Sequence, residues 1–108
     1  MGFSVNEKDW KLFRKCLPGW QERYMETLIR EYQKILDDNK KASEKFWNLE
    51  GRIKQDKKSC GVICEMSRSK MHGNIAALLD EGAITIEDLE GFSDEIRDWA
   101  EARKGWKE

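Results

Sequence analysis

From Trp10 onward the apolar residues of this chain recur at intervals of three and four, and they never gather into long runs. A repeat of that kind lays one apolar stripe along a helix, whereas a strand needs a period of two. In a chain that is 38% charged and has a single proline, the pattern predicts an all-α fold. At 108 residues the chain has the size of one ordinary domain. The expectation is therefore a single-domain bundle of four to five helices.

Punctuation residues divide the stripe. Trp10, Phe13 and Leu17, after a cap at Ser4 or Asn6, predict a first helix over about 6–16 that Pro18-Gly19 should end. A second carries Trp20, Tyr24, Leu28, Tyr32, Ile35 and Leu36 up to the polar DDNKK stretch, where Asn39 suits a left-handed turn and Ser43 a new cap. A third holds Ala42, Phe46, Leu49 and Ile53 beside Trp47, with Lys57 and Lys58 opposing the helix dipole in its last turn. A turn near 38–42 makes the second and third helices an antiparallel hairpin, and Trp20 and Trp47 are assigned to the core.

Gly61 reads as the next stop. A fourth helix then points Ile63, Met66, Met71, Ile75, Leu78 and Leu79 inward, with Gly73 in its middle and Gly82 at its end. Thr85 with Asp88, and Ser93 before Asp94 and Glu95, supply two caps for a tail that forms one bent helix or two short ones. Leu89, Phe92, Ile96, Trp99 and Trp106 make the tail's stripe, which packs across the hairpin.

Residues 45–98, KFWNLEGRIKQDKK…GVICEMSRSKM…NIAALLDEGAITIEDLEGFSDEIRD, resemble small, uncharacterised, all-helical cytoplasmic proteins of Gram-positive bacteria. The resemblance spans about half of the chain. It implies a helical fold and a bacterial or mobile-element origin, and it carries no activity and no site residues.

No apolar run approaches the ~18 residues that span a bilayer. The N-terminus MGFSVNEKDW lacks the apolar core of a signal peptide, and Asn6 stands where a myristoylation signal wants Ser or Thr. Three cysteines, an odd number, suit a reducing compartment better than a disulfide framework. The expected setting is cytoplasmic, with no membrane contact.

The stretch KKSCGVICEMSRSKMH, residues 57–72, holds two of the three cysteines and the only histidine. Cys60 and Cys64 could meet one ion on a helix, but His72 would lie ~12 Å further along the axis and ~80° around it. Zinc ligands within ~2.3 Å of one ion do not tolerate that separation, and distant Cys16 would have to supply a fourth. No cofactor or metal is expected. A thiol reading is left: Cys64 in the first turn of a helix that starts after Gly61, near Lys57, Lys58 and Arg68, would have a lowered pKa and some thiolate character. The plainer alternative makes Cys64 a small buried apolar residue between Ile63 and Met66. No pattern supplies a catalytic partner or an oxyanion site, so catalytic residues are not expected.

Charge is segregated along the chain although its net value is −1: residues 39–71 carry +5 and residues 72–108 carry −6. Lys54, Lys57, Lys58, Arg68 and Lys70 could neutralise phosphates, with Ser67 and Ser69 donating hydrogen bonds. A sequence pI near 5.9 argues against nucleic acid, and pairing of the basic middle with the acidic tail explains the same layout. The carboxylates of the tail read as a solvated helix face or as a docking strip for a basic surface. Five tryptophans are a heavy load, and Trp99 and Trp106 have few apolar neighbours. With Arg103, and with Asp94, Glu95 and Asp98 beside them, they form the candidate partner-binding surface.

The function expected from sequence is that of a non-enzymatic protein-interaction module, binding a partner protein or a second copy through the tail helix. Its alternatives are a nucleic-acid binder using residues 52–70 and an acidic inhibitor of a host nucleic-acid-processing enzyme.

Overall fold

The computed structural model describes residues 5–107 and the side chains of residues 5–103. Within them the fold is all-helical. Helix α1 spans Glu7–Asp37, α2 Ala42–Asp56, α3 Met71–Asp80 and α4 Asp94–Lys107, with 3-10 turns at Arg68–Lys70 and Ile86–Leu89.

Helix α1 begins where Asn6 caps it, its side-chain oxygen accepting from the Lys8 N–H at 2.8 Å, with Glu7 and Asp9 at the positive end of the dipole. Ser4 lies outside the described residues. The helix does not end at Pro18, contrary to the expectation of a break after residue 16. Proline removes one hydrogen bond, to the Arg14 carbonyl, and crowds it. Pro18 and Gly19 are exposed, so water can serve that carbonyl, while Phe13, Leu17 and Trp20 on the other face stay buried across the interruption. One continuous apolar stripe therefore holds the two expected helices together as one.

That stripe is the floor of the core. Trp10 and Phe13 stack with centroids 6.2 Å apart, Phe13 meets Trp20 edge-on at 6.1 Å, and Trp20 stacks on Phe92 at 6.1 Å. Met71, Ile75 and Leu78 of α3, Leu89 of the 3-10 turn, and Ile96 and Ala100 of α4 close over it. The tail is two short elements, and it packs on the N-terminal half of α1. A polar clasp fixes it there: the buried carboxylate of Asp9 accepts from the Ser93 N–H at 2.9 Å and from the Ser93 hydroxyl at 2.6 Å. Ser93 also caps α4, its oxygen accepting from the Ile96 N–H at 3.4 Å.

Helix α3 starts at Met71, so Gly73 falls in its first turn and not mid-helix. It ends in a Schellman arrangement: Gly82, at φ 77°, and Ala83 donate to the Leu79 and Leu78 carbonyls. The Asp88 carboxylate reaches back to the Thr85 N–H at 2.8 Å and takes the Arg23 guanidinium at 2.8 Å, which ties the 3-10 turn to α1. Burial pushes the Asp88 carboxyl up, but Arg23 and Thr85 together hold it below its ordinary value.

At its far end α1 leaves the core. Leu28 is its last buried residue, and α2 has none. The chain turns at 38–41 with Asp38 and Lys41 extended; among the described residues no residue other than glycine has positive φ, so Asn39 is not left-handed. Lys41, not Ser43, caps α2, its N–H donating to Glu44. Helix α2 then returns along α1, where Arg52 donates to Glu31 at 2.6 Å and the Tyr32 hydroxyl to Asp56. The molecule is consequently elongated, 52 × 28 × 25 Å, with a packed body and an arm.

Two outcomes test this assembly. Asp9→Ala strands the Ser93 N–H and hydroxyl, and should cost about 2 kcal/mol, or roughly 10 °C in thermal unfolding followed by circular dichroism. Asp9→Asn, which still accepts from the N–H, should lose less; an alanine variant melting with the parent would deny the clasp any role. In the arm, burial and then Asp56 raise the Tyr32 hydroxyl from 10.0 to about 12. The folded state holds that proton more tightly, so its contribution is complete below pH 10 and vanishes as pH rises towards 12. Replacing Tyr32 with Phe should flatten that part of the stability profile in urea titrations.

Candidate functional site

The cysteine-bearing stretch forms no helix start. Residues 57–67 are turns and extended chain, because polar groups from three directions hold the backbone away from helical pairing. Glu81 accepts from the N–H groups of Cys60 and Gly61 at 2.9 and 3.1 Å, Gln21 donates to the Cys60 carbonyl at 3.0 Å, and Asn74 donates to the Glu65 carbonyl at 2.8 Å. Gly61 is buried against Tyr24, where a Cβ would come within 2.3 Å of the ring. The expected fourth helix from Gly61 is thus corrected to one starting ten residues later, and Ile63 and Met66 are exposed, not inward.

Cys64 accordingly has no helix dipole to stabilise a thiolate. Burial first, and then the neighbouring Cys60, push its thiol up to about 12, the reverse of the lowered value expected from sequence. Cys60 is raised too, chiefly by burial. His72 sits on α3 with its ring edge-on to Trp99 at 5.4 Å, and burial lowers its pKa. Among the described residues no three His, Cys, Asp or Glu side chains form a group that could hold a metal ion.

The tail surface is largely absorbed by the body. Trp99 is half-buried against the core, and Arg103 pairs with Asp80 at 2.7 Å. Asp94 pairs with Arg97, Glu95 faces the His72 side of the body, and Asp98 lies in a shallow groove with Glu87, Glu90 and Glu101. The side chain of Trp106 lies outside the described residues.

The basic residues divide between two places. Arg68 pairs with Glu7 at 3.0 Å and covers Trp10, and Lys70 pairs with Glu65 at 3.7 Å. The expected pairing of the basic middle with the acidic tail is replaced by these contacts and by the Arg23–Asp88 bridge. Lys54, Lys57 and Lys58 stand together at the end of α2, exposed.

What the sequence reading missed is the outer face of α2. Phe46 and Trp47 are 62% and 64% exposed, with rings edge-on at 4.9 Å, and Ile53 is 39% exposed. The sequence pattern places Trp47 and the Phe46/Ile53 stripe in a core, and the arm has none at these positions. Phe46, Leu49 and Ile53 instead line an open groove with Glu50, Lys54 and Lys57. On α1, Met25, Ile29 and Leu36 are also substantially exposed. Periodicity identifies such a stripe; only the tertiary structure shows that among the described residues it is left exposed. Large solvated aromatics on a regular helix are a recognised mark of a binding surface.

No protein-family model, curated protein or solved structure matches this chain.

With its thiol raised, Cys64 should react with iodoacetamide at pH 8 at least about a hundredfold more slowly in the native chain than in the urea-unfolded chain. Mass spectrometry of timed samples measures the ratio, and equal rates would contradict the burial of this thiol.

Proposed function

We propose that this chain is a non-enzymatic protein-interaction module whose partner docks on the exposed face of the α1–α2 arm. The observation that carries the reading is the Phe46–Trp47 pair, two large aromatics more than half exposed on a helix with no buried residue. Exposed apolar surface of this size is costly in water unless another molecule removes it. The arm acts as an antiparallel helical hairpin projecting from the body of one domain, and the body serves to hold it. The tail helix, favoured from sequence, is the weaker surface because Trp99 and Arg103 are spent on internal contacts.

The three free cysteines suit a reducing interior, and the resemblance of residues 45–98 to small bacterial proteins fits a cytoplasmic adaptor or mobile-element factor. No helix of the described residues is long and apolar enough to cross a membrane.

The test is a double variant, Phe46→Ala with Trp47→Ala. Both side chains are exposed, so stability should change by about 0.5 kcal/mol or less. In affinity capture from the producing cell the variant should lose the proteins that the parent retains. An unchanged set of captured proteins, from a variant that melts like the parent, would refute the arm as the binding surface.

A further inference from the structure

We propose that the arm's groove at Phe46, Leu49 and Ile53 receives an amphipathic helix of a partner protein whose polar flanks are acidic. This rests on the reading of the arm as the binding surface and specifies what fits it.

Phe46, Leu49 and Ile53 follow one another by three and four, the seam that accepts a second helix lying alongside. At about 100° per residue, two antiparallel helices turn the same side outward at matching angles from their contact face. Tyr32 and Arg52 mark that contact face, and the angles put Ile29 and Leu36 of α1 on the same side as Phe46 and Ile53 of α2. A helix laid in this trough completes a three-helix bundle and covers Phe46, Leu49 and Ile53 of α2 with Ile29 and Leu36 of α1, the helix-in-groove mode of recognition.

Charge at the rim selects the partner. Lys54 and Lys57 border the groove, Lys58 follows, and Glu50 is the one acid among the groove's lining residues. Among the described residues neither Lys54 nor Lys57 has an ion-pair partner, whereas Arg23, Arg52, Arg68, Arg97 and Arg103 all do. Carboxylates flanking an incoming apolar stripe would meet these ammonium groups at the rim, which sets orientation and speeds encounter. A second copy fits less well. Antiparallel self-pairing that matches Phe46 with Ile53 brings Lys54 level with Lys45 and Lys58 level with Lys41, so like charges face each other along the seam.

The experiment displays a library of helices of about five turns, with leucine fixed at the seam and the flanking positions randomised, and selects on the full chain. Enriched sequences should carry Asp and Glu at the flanks. A synthesised binder should lose roughly thirtyfold in affinity to Ile53→Asp and about tenfold to Lys54→Glu with Lys57→Glu, in variants whose helical circular dichroism equals the parent's. Phe46→Ala gives the same reading should Ile53→Asp lose helicity. Enrichment of basic or neutral flanks would overturn the acidic partner while leaving the arm as the binding surface. So would self-association in sedimentation that Ile53→Asp abolishes, or salt-sensitive binding of duplex DNA that Ile53→Asp leaves intact. A library without binders, together with unchanged capture by the Phe46→Ala, Trp47→Ala variant, would end both readings.

Discussion

A helix that continues through a proline needs support from outside its own hydrogen bonds, and α1 receives it from the aromatic row formed by Trp10, Phe13 and Trp20 with Phe92. Losing a backbone bond and clashing with the preceding turn costs about 3 kcal/mol. Burying three aromatic or aliphatic side chains on the opposite face, at roughly 2 kcal/mol each, offsets that about twice over. The other elements of the body are placed by reference to this row. Helices α3 and α4 cover it, Asp9 and Ser93 lock one end of the cover, and Arg23 with Asp88 locks the other side. The arm exists because α1 is longer than the cover.

The charged residues follow a division of labour that net charge conceals. Arginine, with its planar fork of donors, makes the long-range bridges between elements, as Arg23, Arg52, Arg68 and Arg103 show. The lysines at the end of α2 are left to solvent, where a compact hydrated ammonium is at little cost. Ion pairs thus tie the elements of the body to one another and, through Arg52, α2 to α1, while the lysines at the end of α2 lie beside the exposed aromatics. Glu81 works on the backbone, gathering two N–H groups of the cysteine loop that would otherwise lack partners.

Much of the helical content was legible because a helix is specified by neighbours three and four residues away. Asn6, the Thr85–Asp88 pair, Ser93 and Gly82 act where local chemistry places them. Pro18 misled because the local rule stops a helix and only the tertiary burial of Leu17 and Trp20 overrides it. Residues 57–67 misled because their backbone partners, Gln21, Asn74 and Glu81, are remote in sequence for two of the three turns they hold. The face of α2 misled for a different reason: an apolar stripe states a capacity to be buried, not the presence of something to bury it. Cys64 changed character with its surroundings, since the same thiol is activated at a helix end and suppressed in a packed loop.

That Leu28 is the last buried residue of α1 has a thermodynamic corollary. Beyond it the two helices are joined mainly by Tyr32, Asp56, Arg52 and Glu31 at partly solvated positions, which supply much less free energy than the body's apolar contacts. Opening of the arm is then a sub-global event, lower in free energy than unfolding of the whole chain. The exposed Phe46–Trp47 pair therefore sits on the part best placed to fray and re-form while the rest stays intact. A partner that completes the bundle would also consolidate the fold, so that affinity and local order are one linked quantity.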